Sequence, residues 1–123
     1  AARGVRVTAL ELDADASALS ARRLPPGSRA VAGRVEDALA EALPADVVVV
    51  NPPRAGLHDR VPALLEGAGA GHRALVYVSC NPATLARDLA RLPTHEVRSV
   101  RAFDMFPQTA HVETVCELAR RAP

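Results

Sequence analysis

Cys80 lies in a ten-residue run, Ser79-Cys80-Asn81-Pro82-Ala83-Thr84-Leu85-Ala86-Arg87-Asp88, whose residue types and spacing can build a nucleophile. The apolar stretch before it, Ala74-Leu75-Val76-Tyr77-Val78, reads as a buried parallel strand. Asn81 suits a helix N-cap and Pro82 the first helical position, so a helix is predicted to start there. The thiol of Cys80 then sits on a strand-to-helix turn, near unpaired backbone N–H groups and the positive end of a helix dipole. That setting favours the thiolate and therefore covalent addition through sulfur.

Two further blocks accompany this one. They are Asn51-Pro52-Pro53-Arg54-Ala55-Gly56-Leu57 and Phe103-Asp104-Met105-Phe106-Pro107-Gln108-Thr109-Ala110-His111-Val112-Glu113. Together the three blocks resemble the RNA (uracil-C5) methyltransferase family, in which the usual strings run close to DPPRxGL, SCNPxTLARD and DMFPxTxHVE. The resemblance implies methyl transfer from S-adenosylmethionine to carbon 5 of a uridine in tRNA or rRNA. It makes Cys80 the nucleophile that adds to carbon 6, and Glu113 the base that removes the proton from carbon 5. It also makes Glu11, Arg34 and Asn51 the cofactor-binding positions, Glu11 by holding the ribose hydroxyls. Asn51 stands where the family has Asp, keeping hydrogen-bonding capacity but losing charge. Arg34 stands where the family often has Asn or a small polar residue near the adenine, and it cannot accept a hydrogen bond.

The elements that must carry these residues alternate between β-rich and helical stretches, which predicts an open α/β sheet. Strands are predicted over 5–10, 29–32, 46–50, 73–78, 97–103 and 111–118. Helices are predicted over 13–24, 36–43, 59–66 and 82–92. In an open parallel sheet the site lies at the carboxyl ends of the strands, and Cys80 follows one such end. An antiparallel last strand, as in the Rossmann-like methyltransferase sheet, would start at that same edge. Its residues His111 and Glu113 share a face by the period of two. The resemblance also implies that the 123 residues are one part of a catalytic domain. The first strand with its glycine-rich, methionine-cradling loop, and the RNA-binding domains ahead of it, lie outside them.

Composition adds bounds. With 15 basic residues, all Arg, against 14 acidic ones, charge alone does not announce a nucleic-acid binder. Aromatic residues are 2% of the chain, so stacking of RNA bases has little to work with and the grip must come largely from elsewhere. Arg54 and Arg87 are candidates for RNA phosphates, or equally for surface ion pairs. Two cysteines without paired spacing, and no signal-peptide or membrane-length apolar run, predict a cytoplasmic protein without a membrane anchor. Cys116 and Tyr77 read as core residues. His58, His72 and His95 fall in separate loops or strand starts, so no metal is expected.

Two other readings stay open. Asn51-Pro52-Pro53 resembles the opening of the motif with which amino-group methyltransferases hold a target nitrogen. There an aromatic residue normally follows, whereas Arg54 follows here. The second reading is a non-catalytic remnant or truncated fragment of the uracil-C5 enzyme.

Overall fold

The computed structural model describes residues 4–104 and 112–121, with the backbone alone at residue 68. The chain divides into two compact units, 1–43 and 44–123.

The first unit holds β1 (Thr8–Glu11), α1 (Ala14–Arg23), β2 (Arg29–Ala32) and α2 (Val35–Ala42). β1 and β2 pair in parallel, with Thr8 opposite Arg29 and Glu11 opposite Ala32. Asp13 caps α1, its Oδ1 accepting from the N–H groups of Asp15 at 2.8 Å and Ala16 at 3.1 Å. The predicted helix over 13–24 therefore shortens to its capped interior. The first strand sits later than predicted and ends on Glu11 rather than before it.

The second unit holds β3 (Val47–Val50), α3 (Arg60–Glu66), a 3₁₀ turn (Ala68–Ala70), β4 (Ala74–Ser79), α4 (Pro82–Ala90), β5 (His95–Phe103) and β6 (Glu113–Arg120). Its strands order β3-β4-β6-β5 in one sheet. β3 and β4 are parallel, while β6 runs antiparallel to both β4 and β5. The antiparallel last strand expected from the sequence is present. A bulge between Val97 and Ser99 lets β5 start at His95, earlier than predicted. The predicted start of the last strand, at His111, lies outside the described residues.

One face of this sheet is buried under the helices. Val48, Val50, Leu75, Tyr77, Cys116 and Leu118 pack there with Val61, Leu65, Leu85 and Leu92. Arg120 fixes the end of α3 by donating to the carbonyls of Leu65 at 2.6 Å and Gly67 at 2.7 Å, the second of which also accepts from the Ala70 N–H. On β3 the alternation is sharp: Val48 and Val50 are buried, whereas Val47 is 44% and Val49 66% exposed. No helix among the described residues is long and apolar enough to cross a membrane.

Candidate active site

The turn that carries Cys80 is tied on both sides. Ser79, the last residue of β4, is buried, and its Oγ donates to the Asn81 carbonyl at 2.9 Å and accepts from the Asn81 N–H at 3.0 Å. Asn81 then caps α4, its Oδ1 accepting from Ala83 N–H at 3.0 Å and Thr84 N–H at 3.4 Å, with Pro82 in the first helical turn. The sequence predicted this cap. Between these two residues the free Cys80 thiol is exposed.

β6 brings Glu113 to the same edge. The β4–β6 ladder ends on the pair Ser79 and Thr114, so Cys80 and Glu113 are the next residues along their strands. Glu113 pairs with Phe103 on its other side. Its Oε2 is buried and has no hydrogen-bond partner among the described residues. An acceptor withheld from water and left unpaired is costly in a purely structural role. At this edge the arrangement offers an exposed thiol for addition to an electrophilic carbon and a carboxylate for proton removal. His111 lies outside the described residues.

The loop after β3 packs against the same helix. Asn81 Nδ2 donates to the Arg54 carbonyl at 3.5 Å, and Arg87 donates to the Ala55 carbonyl at 2.5 Å. Asp88 accepts from the Leu57 N–H at 2.9 Å, and Arg91 donates to the Leu57 carbonyl at 2.9 Å and to Asp59 Oδ1 at 3.0 Å. Gly56 turns the loop with φ +85°. A Cβ added there would stand 2.5 Å from Arg87 Nη2 and 2.6 Å from Asp88 Oδ2, so a side chain at this positive φ is strained and must push the two apart from the loop. Asn51 is exposed at the start of this loop, directly after β3.

Asp88 is the residue that sequence reasoning missed. It is 0% exposed, and besides Leu57 it accepts from the Tyr77 hydroxyl and from the guanidiniums of Arg87 and Arg91. Burial pushes its pKa up. The hydrogen bonds from Tyr77, Leu57, Arg91 and Arg87 outweigh that and hold the carboxyl below its ordinary value. Burial and the Asp88 carboxylate push the Tyr77 hydroxyl well above the usual tyrosine range. Tyr77 is thus a core residue, as expected, with a polar task as well. Arg87 donates to Asp88 and to the Ala55 carbonyl while its side chain stays half exposed. Cys116 is buried as predicted, and burial raises its thiol pKa.

In the first unit Glu11 and Arg34 flank the ends of β1 and β2. Glu11 is exposed at the carboxyl end of β1, where its Oε1 accepts from the Asp13 N–H at 3.2 Å. Arg34 occupies the N-cap position of α2 without capping it, and its guanidinium lies 3.9 Å from Glu36.

His72 and His95, read from sequence as separate, come together behind the sheet. Their rings stack at 5.0 Å, and the two Nε2 atoms are 2.7 Å apart. His72 lies two residues before β4 and His95 opens β5, strands that flank β6 on either side, a proximity that sequence separation hides. Among the described residues no group of three or more His, Cys, Asp or Glu is placed to hold a metal ion.

Comparison with known proteins places the chain in context. The model of the tRNA (Uracil-5-)-methyltransferase family matches residues 25–121. An RNA methyltransferase of Listeria innocua, itself uncharacterized, is 49% identical over 95 residues, covering 72% of this chain and 20% of that protein. The 23S rRNA (uracil(747)-C(5))-methyltransferase RlmC of Shewanella amazonensis is 43% identical over 77 residues, 63% of this chain and 20% of that protein. The chain thus spans about a fifth of the length of these relatives. The crystal structure of Pyrococcus abyssi tRNA (uracil-54, C5)-methyltransferase in complex with S-adenosyl-L-homocysteine superposes with a TM-score of 0.80 at 33% identity, over 94% of this chain and 29% of that one. The M. capricolum TrmK structure, at 10% identity and a TM-score of 0.62 over 93% of this chain and 51% of that one, shares the fold. The architecture is the α/β, Rossmann-like methyltransferase fold.

Proposed function

Because the chain belongs to the tRNA (uracil-5-)-methyltransferase family, we propose that it carries the reacting groups for methylation of carbon 5 of a uridine in tRNA or ribosomal RNA. The observation that carries this reading is the end of the β4–β6 ladder. It sets Cys80 and Glu113 at one sheet edge, with Glu113 Oε2 buried and unpaired among the described residues.

Carbon 5 of uracil is a poor nucleophile. The Cys80 thiolate adds to carbon 6, forming a C–S bond and an enolate whose carbon 5 is electron-rich. S-adenosylmethionine, when bound, supplies the electrophilic methyl group that carbon 5 takes. Glu113 then accepts the proton from carbon 5, the C6–S bond breaks, and the thiolate returns. Ser79 and Asn81 hold the turn so that the sulfur stays at the edge of the sheet throughout.

The residues fit the cofactor in part. Glu11, exposed at a strand end, has the carboxylate chemistry that ribose hydroxyls need. Asn51 can donate and accept. Arg34 presents only donors and is drawn toward Glu36. RNA as partner is supported by the relatives, whose names specify tRNA and 23S rRNA. We further propose that these residues are the later part of a longer catalytic domain, with the glycine-rich loop supplied outside them. The open edge and exposed valines of β3 support that reading.

The test uses the intact gene product. RNA containing 5-fluorouridine has no proton to surrender at carbon 5, so the wild-type protein should give a covalent complex on a denaturing gel. Cys80→Ala should give none, and a persisting band in that variant overturns the role of Cys80. With ordinary uridine, Glu113→Gln should accumulate the complex, its turnover falling about a hundred- to ten-thousand-fold. Near-normal turnover would remove Glu113 from the reaction.

A further inference from the structure

The loop after β3 and the turn after β4 form one mechanical unit, and a buried side chain on α4 closes it. Asp88 lies seven residues beyond the Asn81 cap, on the face of α4 turned toward the core. One of its oxygens takes the Leu57 N–H of the loop and the hydroxyl of Tyr77, which sits on β4 two residues before Ser79. The other takes the guanidiniums of Arg87 and Arg91, which in turn hold the Ala55 and Leu57 carbonyls. Strand, helix and loop therefore meet at a single carboxylate. Gly56 is bare because any side chain would strike that carboxylate and Arg87.

We infer that Asp88 is a positioning residue for the reaction of Cys80. By clamping residues 54–59 onto α4, it fixes the wall of the site that faces the Cys80 turn. The inference rests on the reading of Cys80 as the nucleophile. Its physical basis is that covalent addition tolerates little misplacement: a shift of about 1 Å can cost on the order of a hundredfold in rate. A carboxylate holding four donors, two of them charged, gives a more rigid joint than apolar packing of the same loop would.

The experiment measures single-turnover formation of the 5-fluorouridine complex in the intact protein at saturating RNA, alongside the RNA concentration giving half-maximal rate. Asp88→Asn keeps the shape but turns one acceptor into a donor and strips the charge from between two arginines. Its adduct rate should fall about a hundredfold, with the half-saturating RNA concentration shifted less than about threefold. Gly56→Ala keeps every charge and wedges the loop off Asp88, so it should reproduce that split and serves if Asp88→Asn does not fold. Tyr77→Phe removes a donor that does not touch the loop and should cost less than about threefold in rate. Equal adduct rates for the wild-type protein, Asp88→Asn and Gly56→Ala would overturn the positioning role. So would a Tyr77→Phe loss as large as that of Asp88→Asn, because the effect would then follow core stability rather than the loop. Failure of the wild-type protein itself to form the adduct would instead overturn the role of Cys80, a distinguishable result.

Discussion

Two clusters of buried polar groups in the second unit are treated oppositely. Around Asp88 the carboxylate is fully hydrogen-bonded: two guanidiniums, a hydroxyl and a backbone N–H donate to it, with Arg91 Nε the unpaired atom among the described residues. Around His72 and His95 the account stays open. The two Nε2 atoms share one hydrogen bond, while His72 Nδ1 and Glu66 Oε2 are buried without a hydrogen-bond partner among the described residues. The nearest opposite charge is Glu66, whose Oε2 lies 3.4 Å from His95 Nδ1, and Arg120 faces the pair as a cation. A satisfied network specifies geometry, and it lies where geometry matters for the proposed chemistry. A half-satisfied one is a point of weakness that acid can reach.

The largest expected effect comes from breaking the satisfied cluster. Asp88→Ala leaves Arg87, Arg91 and Tyr77 without their shared acceptor and opens a cavity. Removing one member of a buried charge network costs about 3–5 kcal/mol, and urea denaturation of the intact protein measures it. A loss below about 1 kcal/mol, the range of exposed ion pairs, would erase the contrast between the two clusters.

The second prediction separates the clusters by pH. His72 is held neutral, its pKa lowered from 6.5 to about 4 by burial, by His95 and by Arg120. His95 is also lowered, by burial first and Arg120 next, against the pull of Glu66. In the unfolded chain both imidazoles bind protons near 6.5. Stability from their neutral burial is therefore full above that pH and is lost as pH falls toward about 4, the folded value for His72. At 1.36 kcal/mol per pKa unit, His72 accounts for up to about 3 kcal/mol, and the pair titrates jointly. Asp88 works in a lower window: its carboxyl is lowered below 3.8, so its contribution persists until pH drops beneath the ordinary carboxylate range. Chemical denaturation at pH 7, 5.5 and 4.5 should show most of the loss above pH 4. His72→Phe should flatten that part of the curve. An unchanged slope in the variant would show that other groups set the acid response.

The sequence made some of this legible and hid the rest for physical reasons. Local chemistry was readable: the Asn81-Pro82 start of α4, the Asp13 end of α1, and the valine run of β3 each depend on neighbours within a few residues. The placement of Cys80 and Glu113 at one end of the β4–β6 ladder could be anticipated from strand direction, but the register that joins Ser79 to Thr114 is a property of the folded ladder. Asp88 was opaque. An acid between Arg87 and Arg91 on a short helix reads as a solvated ion pair, and only the approach of Leu57, 31 residues away, turns it into a buried joint. His72 and His95 meet across 23 residues, a contact no periodicity encodes. The glycine at position 56 was seen as part of a motif. Its cause, the close approach of Arg87 and Asp88, lay in the three-dimensional structure.

The smallest expected effect sharpens the comparison within the site itself. Asn81 caps α4 with one oxygen and reaches the Arg54 carbonyl with its amide nitrogen, at 3.5 Å the weakest contact of the clamp. Ala at this position removes the cap but leaves Asp88, Arg87 and Arg91 holding the loop. Loss of an N-cap typically costs about 1 kcal/mol, well below the loss predicted for Asp88→Ala. Asp in place of Asn81 keeps the capping oxygens, adds a charge suited to a helix N-terminus and gives up only the Arg54 contact. If the clamp is carried by Asp88, Asn81→Asp should match the wild-type urea midpoint within error while Asn81→Ala falls below it. A drop in Asn81→Asp as large as in Asn81→Ala would instead assign the stability to the Arg54 carbonyl contact, and the loop would then be held from the turn rather than from the buried carboxylate.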